Sequence, residues 1–204
     1  RAGLAELGVP ALLVPEAQGG IGLNPLDAAI VAESLGAHIT PSPFLGTAVM
    51  APTALVASGG KHDDLLAEIA AGAHRVGIAF SEAIKRRNDA RVEARDSRLF
   101  GKSLFAFDAD ADSYLVADQN KHLYLVAAQD PGLTRTHLTT VDKTRRTVEL
   151  TYDDVAAQCI STDVGVFERV LDIGRVAIAA DTLGAAQNML CLLYTSDAAD
   201  DVEC

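Results

Sequence analysis

The stretch Arg75-Val76-Gly77-Ile78-Ala79-Phe80 decides the fold, because the spacing of apolar residues changes there from three and four to two. Val76, Ile78 and Phe80 alternate with small residues. Segments of the same kind follow at 91–95, 98–105, 113–117, 122–127, 133–138 and 147–152. Between them stand Asp118-Gln119-Asn120-Lys121 and Asp130-Pro131-Gly132, whose residues favour tight reversals. Strands joined by short turns, with no helix between them, predict an antiparallel sheet, as a barrel or sandwich, over 75–161.

Upstream of Arg75 the signals are helical. Asn24 can cap free amides, Pro25 suits the first helical position, and Gly36 suits a left-handed exit, which predicts a helix over 24–36. A second helix is expected over 44–58, bent or restarted near Pro52, and a third over 63–71, ending at Gly59 and Gly72 respectively. Residues 1–74 therefore read as a helical domain. Downstream, from Asp163, helical spacing returns through Phe167, Val170, Leu171, Ile173, Val176, Ala180, Leu183 and Leu190. Ala179, Ala180, Gly184 and Ala185 suit a close helix neighbour, so 162–190 reads as the first helix of a C-terminal bundle cut short. The fold class is α+β, in the order helices, strands, helix.

Composition sets the outer limits. The chain has 204 residues, of which 49% are hydrophobic and 22% charged, which excludes disorder and collagen. Seventeen basic against 28 acidic residues give a net charge of −11, which opposes nucleic-acid binding. The uncharged stretch 34–60 is interrupted by Pro41, Pro43 and Pro52, so no membrane span is expected there. Residue 1 is Arg, so a start and any leader are expected upstream. Residues 191–204 hold Cys191, Cys204, Asp197, Asp200, Asp201 and Glu203 and no basic residue. The run from Cys191 to Asp200 is what a transposon-type sequencing adapter would encode, so this tail is expected to be adapter-derived. Cys159 then stands alone, which points to a reducing, cytoplasmic setting.

Several site patterns fail. Gly20-Ile21-Gly22 precedes every expected strand and runs into Pro25, unlike a dinucleotide fingerprint. Gly60-Lys61 is followed by His62, unlike a phosphate loop. Neither a His-Glu-x-x-His pair nor a Gly-x-Ser-x-Gly elbow occurs. Asp108, Asp110 and Asp112 have calcium-loop spacing, but Ser113 and Gln119 stand where Gly and Glu are needed, so they are expected to be solvated carboxylates. His38, His62, His74, His122 and His137 lack ligand spacing. Lys85, Arg86, Arg87, Arg91, Arg95 and Arg98 form a basic concentration that reads as a solvated hairpin or, alternatively, as a surface for a phosphorylated small molecule.

One constellation rises above these. Leu13-Val14-Pro15-Glu16-x-x-Gly19-Gly20-x-Gly22 is followed by Glu33-Ser34-Leu35-Gly36, Pro41-x-Pro43, Gly101-Lys102-Ser103-Leu104-Phe105, Ala111-Asp112, Asp142-x-Thr144-Arg145-Arg146 and Leu183-Gly184-Ala185-Ala186. In this order the segments resemble the acyl-CoA dehydrogenase family over essentially residues 1–190. The resemblance implies FAD as cofactor and an acyl-CoA thioester as substrate. It also implies an electron-transfer flavoprotein or similar acceptor, and a homo- or hetero-oligomer.

In such enzymes a carboxylate takes the proton beside the thioester carbonyl while the flavin takes a hydride from the next carbon. The family's flavin segment corresponds here to Ile78-Ala79-Phe80-Ser81-Glu82-Ala83, in which Ser81 keeps the hydroxyl and Glu82 the family's Glu. Ile78 replaces an aromatic, Ala83 replaces a Pro, and Arg86 to Asp89 replace Gly-Ser-Asp. Phe105 stands at the flavin-stacking position and Phe107 where a Thr is usual. The implied cofactor contacts are Phe80, Ser81, Phe105 and Phe107. The family's catalytic carboxylate lies beyond Leu190, so no catalytic residue is expected in this chain. Three activities fit: an acyl-CoA dehydrogenase, a non-catalytic partner subunit of a heteromeric one, or a relative with other flavin chemistry.

Overall fold

The structure, a computed structural model, describes residues 2–60, 62–85, 90–142 and 144–200, without side chains at 2 and 195–200. Lys61, Arg86, Arg87, Asp89, Asp201, Glu203 and Cys204, named above, lie outside the described residues.

The helical start is built as its caps dictate. After a short helix α1 (Ala2–Glu6), α2 (Pro25–Ala37) opens on a reciprocal cap. Asn24 Oδ1 accepts the Leu26 N–H at 2.8 Å, and Asp27 Oδ2 accepts the Asn24 N–H at 3.0 Å. Gly36 does not make the expected left-handed exit. It is helical and buried, and the positive φ of 47° falls on Ile39 instead. The next helix is divided, as expected near Pro52, into a π-helical segment Phe44–Met50 and α3 (Ala51–Ala57). Helix α4 (Asp63–Ala70) follows, and Gly59 and Gly72 take the left-handed turns, with φ of 64° and 69°.

Eight strands are present among the described residues: β1 (Val76–Ala79), β2 (Val92–Arg95), β3 (Arg98–Phe107), β4 (Ser113–Ala117), β5 (Leu123–Ala127), β6 (Leu133–His137), β7 (Thr147–Ala156) and β8 (Gln158–Ser161). Their order is β6-β7-β3-β1-β4-β5-β8, with β2 beside the start of β3. The expectation of a purely antiparallel sheet is corrected at one pair. β1 runs parallel to β4, Val76 opposite Ser113 and Ala79 opposite Val116. The short helix α5 (Ser81–Ile84) and the β2–β3 hairpin carry the chain out and back, so β4 re-enters beside β1 in the same direction.

Helices cover one face of this mixed sheet. Val14, Phe44, Val49, Leu55, Val76, Ile78, Leu115, Phe167 and Val170 share one core. Val92, Leu99, Tyr114, Val116, Val126, Leu150 and Val155 form a second core on the other face, drawn from strands and their flanking loops. Every residue of β4 is buried, as a strand covered on both faces must be.

The last element is α6 (Val164–Asp200), started by Asp163 Oδ1, which accepts the Gly165 N–H at 2.7 Å. It lies along α2 so closely that a Cβ on Gly184 would come 1.9 Å from Glu33 O, and one on Gly36 equally close to Asp181 O. By length and composition alone, Val164–Tyr194 meets the requirement for crossing a bilayer.

Candidate functional site

The helical layer meets β1 through two near-contacts. Thr47, buried in the π-helical segment, accepts the Val76 N–H on Oγ1 at 3.0 Å. A Cβ on Gly46 would lie 2.2 Å from Val76 O, so only glycine lets the helix sit against the strand there. Beside this seam opens a cavity of about 700 Å³. Its floor is Val76, Gly77, Ile78 and Phe107, and its walls come from Leu4, Val9, Pro10 and the segment around Pro41 to Ala48. A cavity of about 220 Å³ between α2 and α6 shares Thr40, Ser42, Phe44, Leu45, Thr144 and Arg145 with it.

The rim is cationic but compensated. Arg75 Nε lies 3.5 Å from Asp112 Oδ2, which also accepts the Arg75 N–H at 2.9 Å. Arg145 pairs with Asp181 on α6, and Arg146 with Asp110. Asp110 and Asp112 are therefore not the solvated carboxylates expected; they are partners of this arginine rim. His74 bridges outward, with Nε2 2.9 Å from Ser113 Oγ and Nδ1 3.3 Å from Glu68 Oε2. Asp142, at the start of the rim turn, accepts the Thr144 hydroxyl at 2.6 Å and its N–H at 2.8 Å, which holds its carboxyl below the usual range.

The four implied cofactor contacts divide between core and surface. Phe80 is 3% exposed, with its ring 5.3 Å from that of Phe167 on α6, and it lines neither cavity. Ser81 donates its hydroxyl to Glu82 Oε2 at 2.6 Å. Phe105 and Phe107 face out of β3, 46% and 38% exposed, with buried Ala106 between them. Phe107 pairs with Ile78 across β1 and borders the larger cavity.

Among the described residues of the basic concentration, Arg91, Arg95 and Arg98 are held in pairs with acidic neighbours. Arg91 and Arg95 flank Glu93, at 2.9 and 2.5 Å, and Arg98 lies 3.6 Å from Asp154. Among the described residues, no group of three or more His, Cys, Asp or Glu could hold a metal ion. Sequence reasoning missed Thr47, Arg75 and His74 as cavity or rim residues. Their types are common and no motif marks them; only the docking of helix on strand brings them to the cavity. Asp142, Thr144 and Arg145 were legible through the resemblance.

Comparison with known proteins adds a second line. Residues 1–73 match the family model described as acyl-CoA dehydrogenase, N-terminal domain. The chain is 30% identical over 193 residues to acyl-CoA dehydrogenase IpdE2 of Mycobacterium tuberculosis, covering 92% of this chain and 49% of that protein. Among solved structures it resembles the Tcur3481-Tcur3483 steroid ACAD variant, with a TM-score of 0.80, 27% identity and coverage of 93% of this chain and 54% of that one. It has the fold of one chain of the ChsE4-ChsE5 complex from Mycobacterium tuberculosis, with a TM-score of 0.78, 22% identity and coverage of 94% and 55%. The chain spans about half the length of the curated relatives it matches. By sequence and by fold together, the chain is similar to acyl-CoA dehydrogenases, and residues 1–73 match that family's N-terminal domain.

Proposed function

We propose that this chain is part of an FAD-dependent acyl-CoA dehydrogenase, acting on a fatty or sterol-derived acyl thioester in the cytoplasm. The observation that carries the reading is the outward pair Phe105 and Phe107, of which Phe107 borders the 700 Å³ cavity, on a chain with this kinship. Large aromatic side chains are not left half-exposed side by side without a cost, and a planar ring laid over them would cover both. The residues therefore fit a flavin, which when bound supplies the acceptor for a hydride from the carbon next but one to the thioester carbonyl.

The chain's own residues have supporting work in this reading. Phe105 and Phe107 offer the stacking face, the Ser81 hydroxyl can turn from Glu82 to a ring heteroatom, and Phe80 braces the strand from the core. The apolar wall of Leu4, Val9, Pro10 and Phe44 excludes water from the reacting carbons, which strengthens any hydrogen bond to the thioester carbonyl. No residue of the chain is assigned as the base. The electron acceptor would be an electron-transfer flavoprotein or a similar partner.

A second reading, a non-catalytic subunit completing a heteromeric dehydrogenase, is favoured by Ile78 and Ala83 in the flavin segment and by the likeness of fold to a chain of the ChsE4-ChsE5 complex. The full-length protein expressed alone tests both. Purified yellow and reducing a dye with an acyl-CoA, it supports the first reading. Colourless until co-expressed with a companion chain, it supports the second.

A further inference from the structure

Glu82 is 4% exposed, in the first turn of a four-residue helix, and the flavin reading gives it no task. One of its oxygens accepts the Ser81 hydroxyl; the other, Oε1, accepts the backbone N–H of Leu104 at 3.0 Å. The second bond reaches across 22 residues to a particular place on β3.

That place is a gap in the sheet. β2 pairs with β3 only from Arg98 to Gly101, and its last tie is Lys102 N–H to Arg91 O at 2.8 Å. β1 pairs with β3 only at Phe107. Along this edge the amides of residues 102 and 104 point the same way, because strand N–H groups alternate. Lys102 finds the end of β2, and Leu104 meets the Glu82 carboxylate where a strand would be.

The opposite edge of β3 is irregular at the same level. Ser103 pairs with Leu150 and Ala106 with Val148, three steps on β3 against two on β7. Ser103 and Ala106 are both fully buried although three residues apart, whereas on a strand that buries one face, as β3 does from Leu99 to Ser103, buried positions fall two apart. The extra residue turns Phe105 and Phe107 together to the outside.

We propose that Glu82 is a positioning residue: its carboxylate stands in for the missing strand, fixes β3 at Leu104 through the bulge, and so holds Phe105 and Phe107 outward as one platform. The platform itself is a feature of this chain; only its occupant rests on the flavin reading above. A buried N–H left without an acceptor is costly, so losing the carboxylate would let the bulge relax and the aromatic pair reorient.

The test compares E82A with E82Q in the full chain labelled with fluorophenylalanine. The readouts are exchange of the Leu104 amide and the fluorine resonance of Phe105, assigned with F105L. E82A is expected to speed Leu104 exchange by about 10-fold or more, the loss typical of a hydrogen bond to a charged acceptor, and to move the Phe105 resonance. Leu115, in central β4, should keep its protection. E82Q retains an acceptor oxygen at the same reach and should restore both signals. Should E82A fail to fold, E82D carries the test, because its shorter side chain keeps the charge but not the reach. Unchanged Leu104 exchange in E82A or E82D, or equal loss in E82Q, overturns the proposal.

FAD titration of the full-length protein gives the separate arm. Weaker flavin binding in E82A, rescued in E82Q, supports positioning of the platform for flavin; flavin binding indifferent to E82A overturns it. A wild-type protein that binds no flavin, with the exchange and fluorine signals moving as expected, removes the flavin reading and leaves the role of Glu82 standing.

Discussion

Replacing Gly184 by Ala sets two effects of known sign against each other. In a solvent-facing helix interior the change stabilises by up to about 1 kcal/mol, because Gly loses more backbone entropy on folding. Here the added Cβ would lie 1.9 Å from Glu33 O, 2.8 Å from Glu33 C and 2.9 Å from Ala37 N, all backbone atoms of α2. An ordinary carbon–oxygen approach is about 3.3 Å, so the helices must separate locally by roughly 1.4 Å. No side-chain rotamer can absorb that displacement, because the obstacle is a carbonyl within a helix.

Separation would also loosen two ties across the same seam, Asn188 Nδ2 to Ala37 O at 2.8 Å and the Arg145–Asp181 pair. Overpacking of this kind costs about 1–3 kcal/mol, at the upper end when backbone must move. Net of the propensity gain, G184A should destabilise by about 2 kcal/mol, or a Tm lower by roughly 4–8 °C for a chain of this size. Urea unfolding followed by far-UV circular dichroism measures it, with the slope m unchanged if only the native packing is affected. G174A is the matched comparison. Its Cβ meets the Sδ of Met50 at 2.9 Å and Cε at 3.2 Å, a flexible thioether that can swing aside. If G184A equals or exceeds the wild type in stability, or if G174A is the worse of the two, the argument from the α2–α6 seam is refuted.

Two further outcomes follow from buried polar atoms. T47V keeps the shape of the side chain but removes the acceptor of the Val76 N–H, and should cost about 1–3 kcal/mol in urea unfolding, with T47S close to wild type. Tyr152 is buried with its hydroxyl donating to Ser103 Oγ at 3.2 Å, and burial pushes its phenol well above the ordinary range; Tyr114 and Tyr124 are raised by the same cause. The unfolded phenols ionise near pH 10 while the folded ones stay protonated, so the unfolded state holds fewer protons. Stability is therefore fully present below about pH 10 and falls as pH rises beyond it. Y152F should lessen that alkaline loss while costing about 1 kcal/mol at neutral pH, from the missing hydrogen bond.

How far the residues themselves announced this arrangement depends on the range over which each acts. Asn24 and Pro25 start α2 where the sequence placed them, and the turn residues 118–121 and 130–132 separated strands to within a residue or two of their observed ends. β8 escaped notice because it follows β7 after Ala157 alone, with two exposed residues, Gln158 and Cys159, ahead of the buried Ile160. Of the contacts the resemblance implied, Phe105 and Phe107 face outward, whereas the Phe80 ring packs inward on Phe167.

What the sequence by itself determined was local: caps, turns, the change of period at Arg75 and the order helices, strands, helix. Only the tertiary structure decided that β1 lies parallel to β4, that Gly36 sits inside α2 against α6 rather than ending its helix, that the close neighbour expected at Gly184 is α2, and that Glu82 reaches Leu104. The reason is physical. Capping and periodicity act between residues a few positions apart, whereas strand partners, helix approach and cross-sheet hydrogen bonds depend on which distant surfaces fit together without voids or overlaps once the whole chain has packed.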